Sequence, residues 1–244
     1  MNSTSLLTAA ATWSAAGIGV LAAAYAAYVG VTWYRYGHAL PPSTDEHDPL
    51  LDRFMPTYEV VERHQVRIAA PAAVTLAAAR DMDLKGSGVA RTIIKAREVI
   101  LGTTPVARPR PVGLLAEVQS LGWGVLAEAP GREIVVGAVT RPWEANVTFR
   151  ALPPDRFAAF SEPGYVKIAW TLRAEPVTPA ESLFHTETRA IATDPSARAR
   201  FRRYWSFLSP GIIMIRWATL GPLKAEAERR ARQGGYAAQL TTPH

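Results

Sequence analysis

The side chains best suited to acid–base or binding chemistry lie on two segments with strand-like alternation. In residues 58–68 (YEVVERHQVRI), Tyr58, Val60, Glu62, His64, Val66 and Ile68 share one face. A carboxylate and an imidazole therefore sit on an otherwise apolar stripe. In residues 182–192 (SLFHTETRAIA), Leu183, His185, Glu187, Arg189 and Ile191 share a face in the same way. If the two strands pair with these faces inward, Glu62, His64, His185, Glu187 and Arg189 form one polar cluster. Buried charges persist when paired, and this set can pair itself. Histidine beside carboxylates is the material of general acid–base catalysis. Two arrangements compete with that site. One is a solvated outer face, with Phe184, Thr186, Thr188 and Ala190 inward; the other is a structural ion pair.

Other chemistry is thinly represented. The spacing of His185 and Glu187 puts two metal donors on one strand face, but no motif supplies a third. His38, His47 and His244 fall in loose segments, so neither a metal nor another cofactor is expected. Gly86-Ser87-Gly88 lacks the rest of a nucleotide-binding fingerprint, and no G-x-S-x-G elbow occurs. The chain has no cysteine, which excludes disulfide scaffolds, thiolate zinc sites and cysteine nucleophiles. Trp143 follows a strand end, where it would line a cavity mouth. Trp170 and Trp205 would line an interior, although large aromatics at such spacings also build ordinary cores.

The elements that must position these residues follow from turn and period signals. Residues 37–56 are rich in Pro and acidic residues and read as a linker. Helices are expected over 71–83 and 89–101, separated by Gly86-Ser87-Gly88. Residues 123–128 and 133–140 flank Ala129-Pro130-Gly131-Arg132 and read as a hairpin. Further strands are expected at 146–151, 157–161, 165–174 and 182–192, with a turn at 176–180. Asp194 and Pro195 are the N-cap and first residue of a C-terminal helix. Pro210-Gly211 and Gly221-Pro222 should kink or break it, and residues 233–244 read as a frayed tail.

Ahead of all this, residues 2–34 carry no charged side chain. Residues 15–33 (AAGIGVLAAAYAAYVGVTW) are long enough for a helix to cross a bilayer core, which takes about 20 residues. Trp13 flanks one end, and Trp33, Tyr34 and Tyr36 the other, as aromatic belts do. A signal peptide would want a basic start and a small-residue cleavage site, and a buried soluble helix is the other alternative. The expectation is a single-pass inner-membrane anchor over residues 1–36, including Ala15 and ending near Trp33. Gly19, Ala23 and Ala27 recur at small-residue spacing, which would permit a homodimer or another membrane-complex partner. Arg35 and later arginines favour a cytoplasmic C-terminal part. The net charge is +6, and the excess is concentrated near the C-terminus: Arg198, Arg200, Arg202, Arg203, Arg216, Lys224, Arg229, Arg230 and Arg232. Beside a bilayer, such charge favours anionic headgroups. Without a nucleic-acid motif, nucleic acid is not an expected partner.

One strand, two helices, a run of antiparallel strands and a long C-terminal helix is an order that resembles the helix-grip fold of the SRPBCC superfamily. The superfamily includes START lipid-transfer domains and polyketide cyclase/dehydratase-like proteins. The resemblance covers residues 57–232. It is carried by the strand ending Ile68-Ala69-Ala70-Pro71, the hairpin 125–137, Glu162-Pro163-Gly164-Tyr165, Thr186-Glu187-Thr188-Arg189 and the helix residues 200–205 (RFRRYW). It implies an α+β domain: a curved antiparallel sheet around the C-terminal helix, first and last strands paired, with an apolar cavity between sheet and helix. The implied function is binding of a hydrophobic small molecule or lipid by a membrane-anchored protein. A cyclase/dehydratase-like enzyme using the polar cluster, or an assembly subunit of a membrane complex, are the alternatives.

Overall fold

The alternation of residues 58–68 becomes strand β1 (Val60–Ile68), and that of 182–192 becomes β6 (Glu181–Ala192). The computed structural model describes residues 3–38, 47–83 and 113–240, without the side chains of 3–16, 18 and 235–240. The helix expected at 89–101 and the Gly86-Ser87-Gly88 break lie outside the described residues. Chain order is α1 (Ser3–Arg35), α2 (Pro49–Asp52), β1, α3 (Ala72–Asp81), α4 (Leu114–Ser120), β2 (Gly124–Ala129), β3 (Glu133–Thr140), β4 (Phe149–Arg150), α5 (Pro154–Ala159), β5 (Val166–Thr178), β6 and α6 (Pro195–Leu240).

The sheet has six strands in the order β1-β6-β5-β3-β2, with β4 beside β3, and every pair is antiparallel. First and last strands pair, Val60 opposite Ala190 through Ile68 opposite Ser182. The fold is α+β, an antiparallel sheet with a long C-terminal helix, consistent with a helix grip. Both sheet faces are covered. On one, Ile68, Ile134, Val136, Leu172 and Phe184 pack with α3, α4 and the α6 residues Leu220, Leu223 and Ala227. Farther along that face, Val60, Val166 and Ala190 meet Phe201 and Trp205. On the other, Val135, Val139 and Ala169 pack with Leu51, Phe54, Met55 and Phe157. β3 is buried along its whole length because both of its faces are used.

Several expectations are corrected. The second half of the 37–56 stretch is not a linker. Asp48 caps α2 by accepting from Leu51 N at 2.9 Å, and Leu51 and Met55 are fully buried, each contributing about 1.5–3 kcal/mol. The 157–161 strand is instead α5: Pro154 stands in its first turn, Phe157 N donates to Pro153 O at 2.8 Å, and Phe157 turns inward. The strand expected at 146–151 shrinks to Phe149–Arg150, and β5 runs on to Thr178, past an irregular register at Pro176. The α6 helix begins as expected, with Asp194 accepting from Ser196 N and Ala197 N at 2.8 and 3.1 Å. It does not break at either proline, and it continues to Leu240 through the expected tail.

Helix α1 lies against α6. Tyr25 OH donates to Phe207 O at 2.7 Å, and Tyr28 OH lies 2.9 Å from Ser209 Oγ. Both contacts lie just ahead of Pro210, which has no N–H to give to the α6 ladder. At the charged end of α1, Arg202 donates twice to Trp33 O at 2.9 and 2.7 Å and stacks over the Trp33 ring. Tyr36 is buried and donates to Glu59 at 2.7 Å. The helix is therefore seated on the domain, not loosely tethered to it. Among the described residues no helix is long and apolar enough to cross a membrane.

Candidate functional site

Register decides which polar side chains meet. Directly opposed residues of an antiparallel pair share a face. Glu62 stands opposite Thr188 and His64 opposite Thr186, whereas Arg63 stands opposite Glu187. Glu62 and His64 therefore project with Thr186 and Thr188 toward α6. His185, Glu187 and Arg189 project to the other face. The sheet puts the expected five residues on two faces, although His64, His185 and Glu187 line one cavity that passes between them.

The outer half is an ion network under a lid of chain. Arg189 is 1% exposed. Its Nε donates to Glu187 Oε1 at 2.7 Å, its Nη1 donates to Met55 O at 2.7 Å and to Asp52, and its guanidinium lies 4.7 Å from the Tyr58 ring centre. Arg63 Nε is 3.2 Å from the same Glu187. Both arginines hold a carboxylate that would be costly to bury alone. The network fastens α2 and residues 53–58 to the sheet, which makes it structural. His185 lies 3.6 Å from Glu175 at its margin.

A second buried carboxyl pair adjoins it. Glu133 and Asp48 are both buried. Burial, then the charge of Asp48 and a hydrogen bond to it, raise the Glu133 pKa to about 8, with Arg173 opposing. Glu133 is thus largely protonated at neutral pH.

The inner half faces α6. Arg216 projects from the helix and donates to Thr186 Oγ1 at 3.4 Å and to Thr188 Oγ1. Burial brings its pKa down to about 10, with Glu62 acting the other way. Glu62 is raised by burial, against the pull of Arg216. His64 is lowered by burial and then by Arg216, so it is neutral at pH 7. It is 7% exposed, and neither ring nitrogen has a hydrogen-bond partner among the described residues. Its ring meets Trp217 edge-on at 5.4 Å. A cavity of about 200 Å³ is lined by His64, Thr186 and Trp217 from this face and by Thr171, Arg173 and Glu187 from the other. Pairing of β5 with β6 lapses here, between Trp170–Thr188 and Arg173–His185, and Thr171 Oγ1 accepts from Glu187 N at 3.4 Å.

The tryptophans separate likewise. Trp170 packs into the core on the α6 side, 6.2 Å from Trp123. Trp205 is buried 6.0 Å from Phe201. Trp143 lines a surface groove with Tyr25. Arg216 and Trp217 were reachable from sequence: Arg216 is the single charge between Arg203 and Lys224. No group of three metal donors occurs among the described residues.

No protein-family model and no curated protein matches the chain. Among solved structures, the Zhui aromatase/cyclase from Streptomyces sp. R1128 is similar over 72% of this chain and 98% of its own, at 16% identity and a TM-score of 0.29. A hypothetical protein from Helicobacter pylori is similar over 78% and 99%, at 8% identity and a TM-score of 0.38. The di-domain ARO/CYC BexL from the BE-7585A biosynthetic pathway is similar over 71% and 46%, at 16% identity and a TM-score of 0.23. Likenesses this distant do not carry an activity from one chain to another.

Proposed function

We propose that the chain binds a hydrophobic small molecule or lipid between the sheet and α6, with the polar end of the ligand at His64, Arg216 and Glu62. The observation that supports this most is the unpartnered His64 imidazole. A buried ring with both nitrogens unsatisfied costs stability, by about 1–3 kcal/mol per lost partner. A ligand that hydrogen-bonds there would remove that cost. Trp217 supplies the apolar wall of the cavity at His64, and the rest of its lining is polar, so the cavity suits the polar end of such a ligand. In this proposal the 15–33 run holds the protein at a bilayer, with Arg35 and the domain on the cytoplasmic side.

The test is mass spectrometry of organic extracts from the detergent-purified full chain. The expected result is an apolar molecule in near-stoichiometric amount, lost in His64→Phe. Extracts empty for the wild type across several membrane preparations overturn the proposal.

A catalytic use of the same pocket has one specific support. Burial moves Glu62 up toward neutral pH and, by moving His64 down, keeps the imidazole uncharged, a carboxyl and a neutral base of the kind an acid–base step in a cyclase or dehydratase would use. Turnover of the extracted molecule by wild type, abolished in Glu62→Gln with binding retained, would favour it.

A further inference from the structure

A groove of about 570 Å³ runs between α1, α6 and the segment after β3, lined by Tyr25, Trp143, Tyr204, Phe207 and Leu208, with Arg200 and Arg203. Its walls are apolar, and Tyr25 and Phe207 are about half exposed, at 46% and 48%. Arg200 and Arg203 are exposed and make no ion pair or hydrogen bond among the described residues, although most other arginines do. Two free cations at the mouth of an apolar groove match an anionic amphiphile.

The polarity of the groove has a direction. Arg202, between the two free arginines, holds the carbonyl of Trp33 near the charged end of α1. One turn on, Phe207 accepts from Tyr25, eight residues back along α1, or about 12 Å of helix. The cationic end of the groove therefore lies level with Arg35, and its apolar end lies toward the uncharged part of α1. A phospholipid in a bilayer crossed by α1 has the same order: headgroup at the interface, acyl chain inward. Trp143 and Arg200 also border a smaller hollow of about 240 Å³ that contains Arg141 and Glu144. Those two pair with each other at 3.5 Å, and Arg141 donates to Gly164 O at 3.1 Å, so the single carboxylate there is already engaged.

We infer that this groove seats one anionic phospholipid of the bilayer, with its phosphate on Arg200 and Arg203 and an acyl chain along Tyr25, Tyr204, Phe207 and Leu208. The site is separate from the pocket at His64. The inference rests on the proposal that α1 enters the membrane.

Full chain reconstituted in nanodiscs of phosphatidylcholine and phosphatidylglycerol, followed by native mass spectrometry, tests it. Wild type should retain phosphatidylglycerol over phosphatidylcholine. Arg200→Gln with Arg203→Gln should lower that preference about thirtyfold, as expected for two interfacial cations. Ala199 also lines the groove, and Ala199→Trp, which fills it without changing charge, should release the lipid to a similar extent. Equal retention of the two lipids by wild type, or full retention by Ala199→Trp, overturns the inference. Alkaline carbonate extraction reports separately on α1. Short-chain dihexanoyl phosphatidylglycerol, added to protein in neutral detergent, reports on the groove without a bilayer. An extractable chain that still prefers the short anionic lipid refutes the anchor and leaves an amphiphile site. A chain that resists extraction and shows no preference refutes the groove alone.

Discussion

Replacing Glu133 by Gln should remove a pH dependence from the stability of the protein. The Glu133 carboxyl is buried beside Asp48, and its pKa rises from 4.5 to about 8, through burial first and the Asp48 carboxylate second. An acid raised in the folded state keeps its proton there after the unfolded chain has lost it. Between pH 4.5 and about 8 the native state therefore binds more protons, and stability falls as pH rises. The slope is about 1.4 kcal/mol per pH unit while the difference is a full proton, with an upper bound of about 5 kcal/mol across the window. Glutamine keeps the shape of the neutral acid, can still donate to Asp48, and does not ionise. Urea titrations of wild type and Glu133→Gln at half-unit intervals from pH 5 to 8.5 measure the difference directly. Subtraction cancels the contribution of Glu62, which has the same sign, and that of His64, which has the opposite sign. Near pH 5 the two proteins should be close in stability; by pH 8 the variant should be the more stable by several kcal/mol. A difference that stays constant with pH, or a variant less stable at pH 8, would refute the protonated pair.

Arg189→Met leaves Glu187 to Arg63 alone and takes the arginine from Asp52, and should cost about 3–5 kcal/mol in urea unfolding; adding Glu187→Gln should recover part of that loss. His64→Phe should leave ligand-free stability unchanged or higher in thermal melts, since it removes two unsatisfied nitrogens and keeps the edge-on contact with Trp217; a large drop would mean that His64 has a structural partner. Gly122→Ala should destabilise by about 2 kcal/mol or more, because Gly122 has φ +101° and a Cβ there would sit 2.1 Å from Phe149 O. Gly221→Ala, with nothing within 4 Å of its Cβ, should instead stabilise α6 by up to about 1 kcal/mol.

Strand identity was legible wherever period-two alternation was long. Residues 133–140 were placed without error, and the pairing of first and last strands followed from the fold resemblance. What alternation cannot supply is the register between strands. Glu62 and Glu187 each lie on a correctly grouped face of their own strand. A shift of a single residue in the pairing decides whether those faces coincide, and the β1–β6 register puts them on opposite sides. Short apolar runs carry even less: residues 157–161 fit strand or helix equally, and Pro154 decides for helix. The buried Leu51 and Met55 were hidden in a stretch whose prolines and acidic residues resemble a linker. Their burial depends on Arg189 reaching Asp52 and Met55 from more than 130 positions away, a contact with no local signal.

Helix α6 joins the two regions to which binding is assigned. Pro210 deletes one N–H from its ladder, and Ser206 Oγ nearby is buried with no partner among the described residues, so this turn is where the helix would bend most easily. It is fixed on both sides. Tyr25 and Tyr28 hold Phe207 and Ser209 from α1. Six residues beyond Pro210, about 9 Å along the axis, Arg216 is held by Thr186 and Thr188 on β6. A helix clamped at both ends of its weakest turn keeps a fixed angle to the sheet. The depth of the space at His64 is therefore set partly by how α1 seats. Loss of the two tyrosine hydroxyls would free the Pro210 turn first and the Arg216 contacts next, while the apolar packing of Leu220, Leu223 and Ala227 on the sheet remains in place.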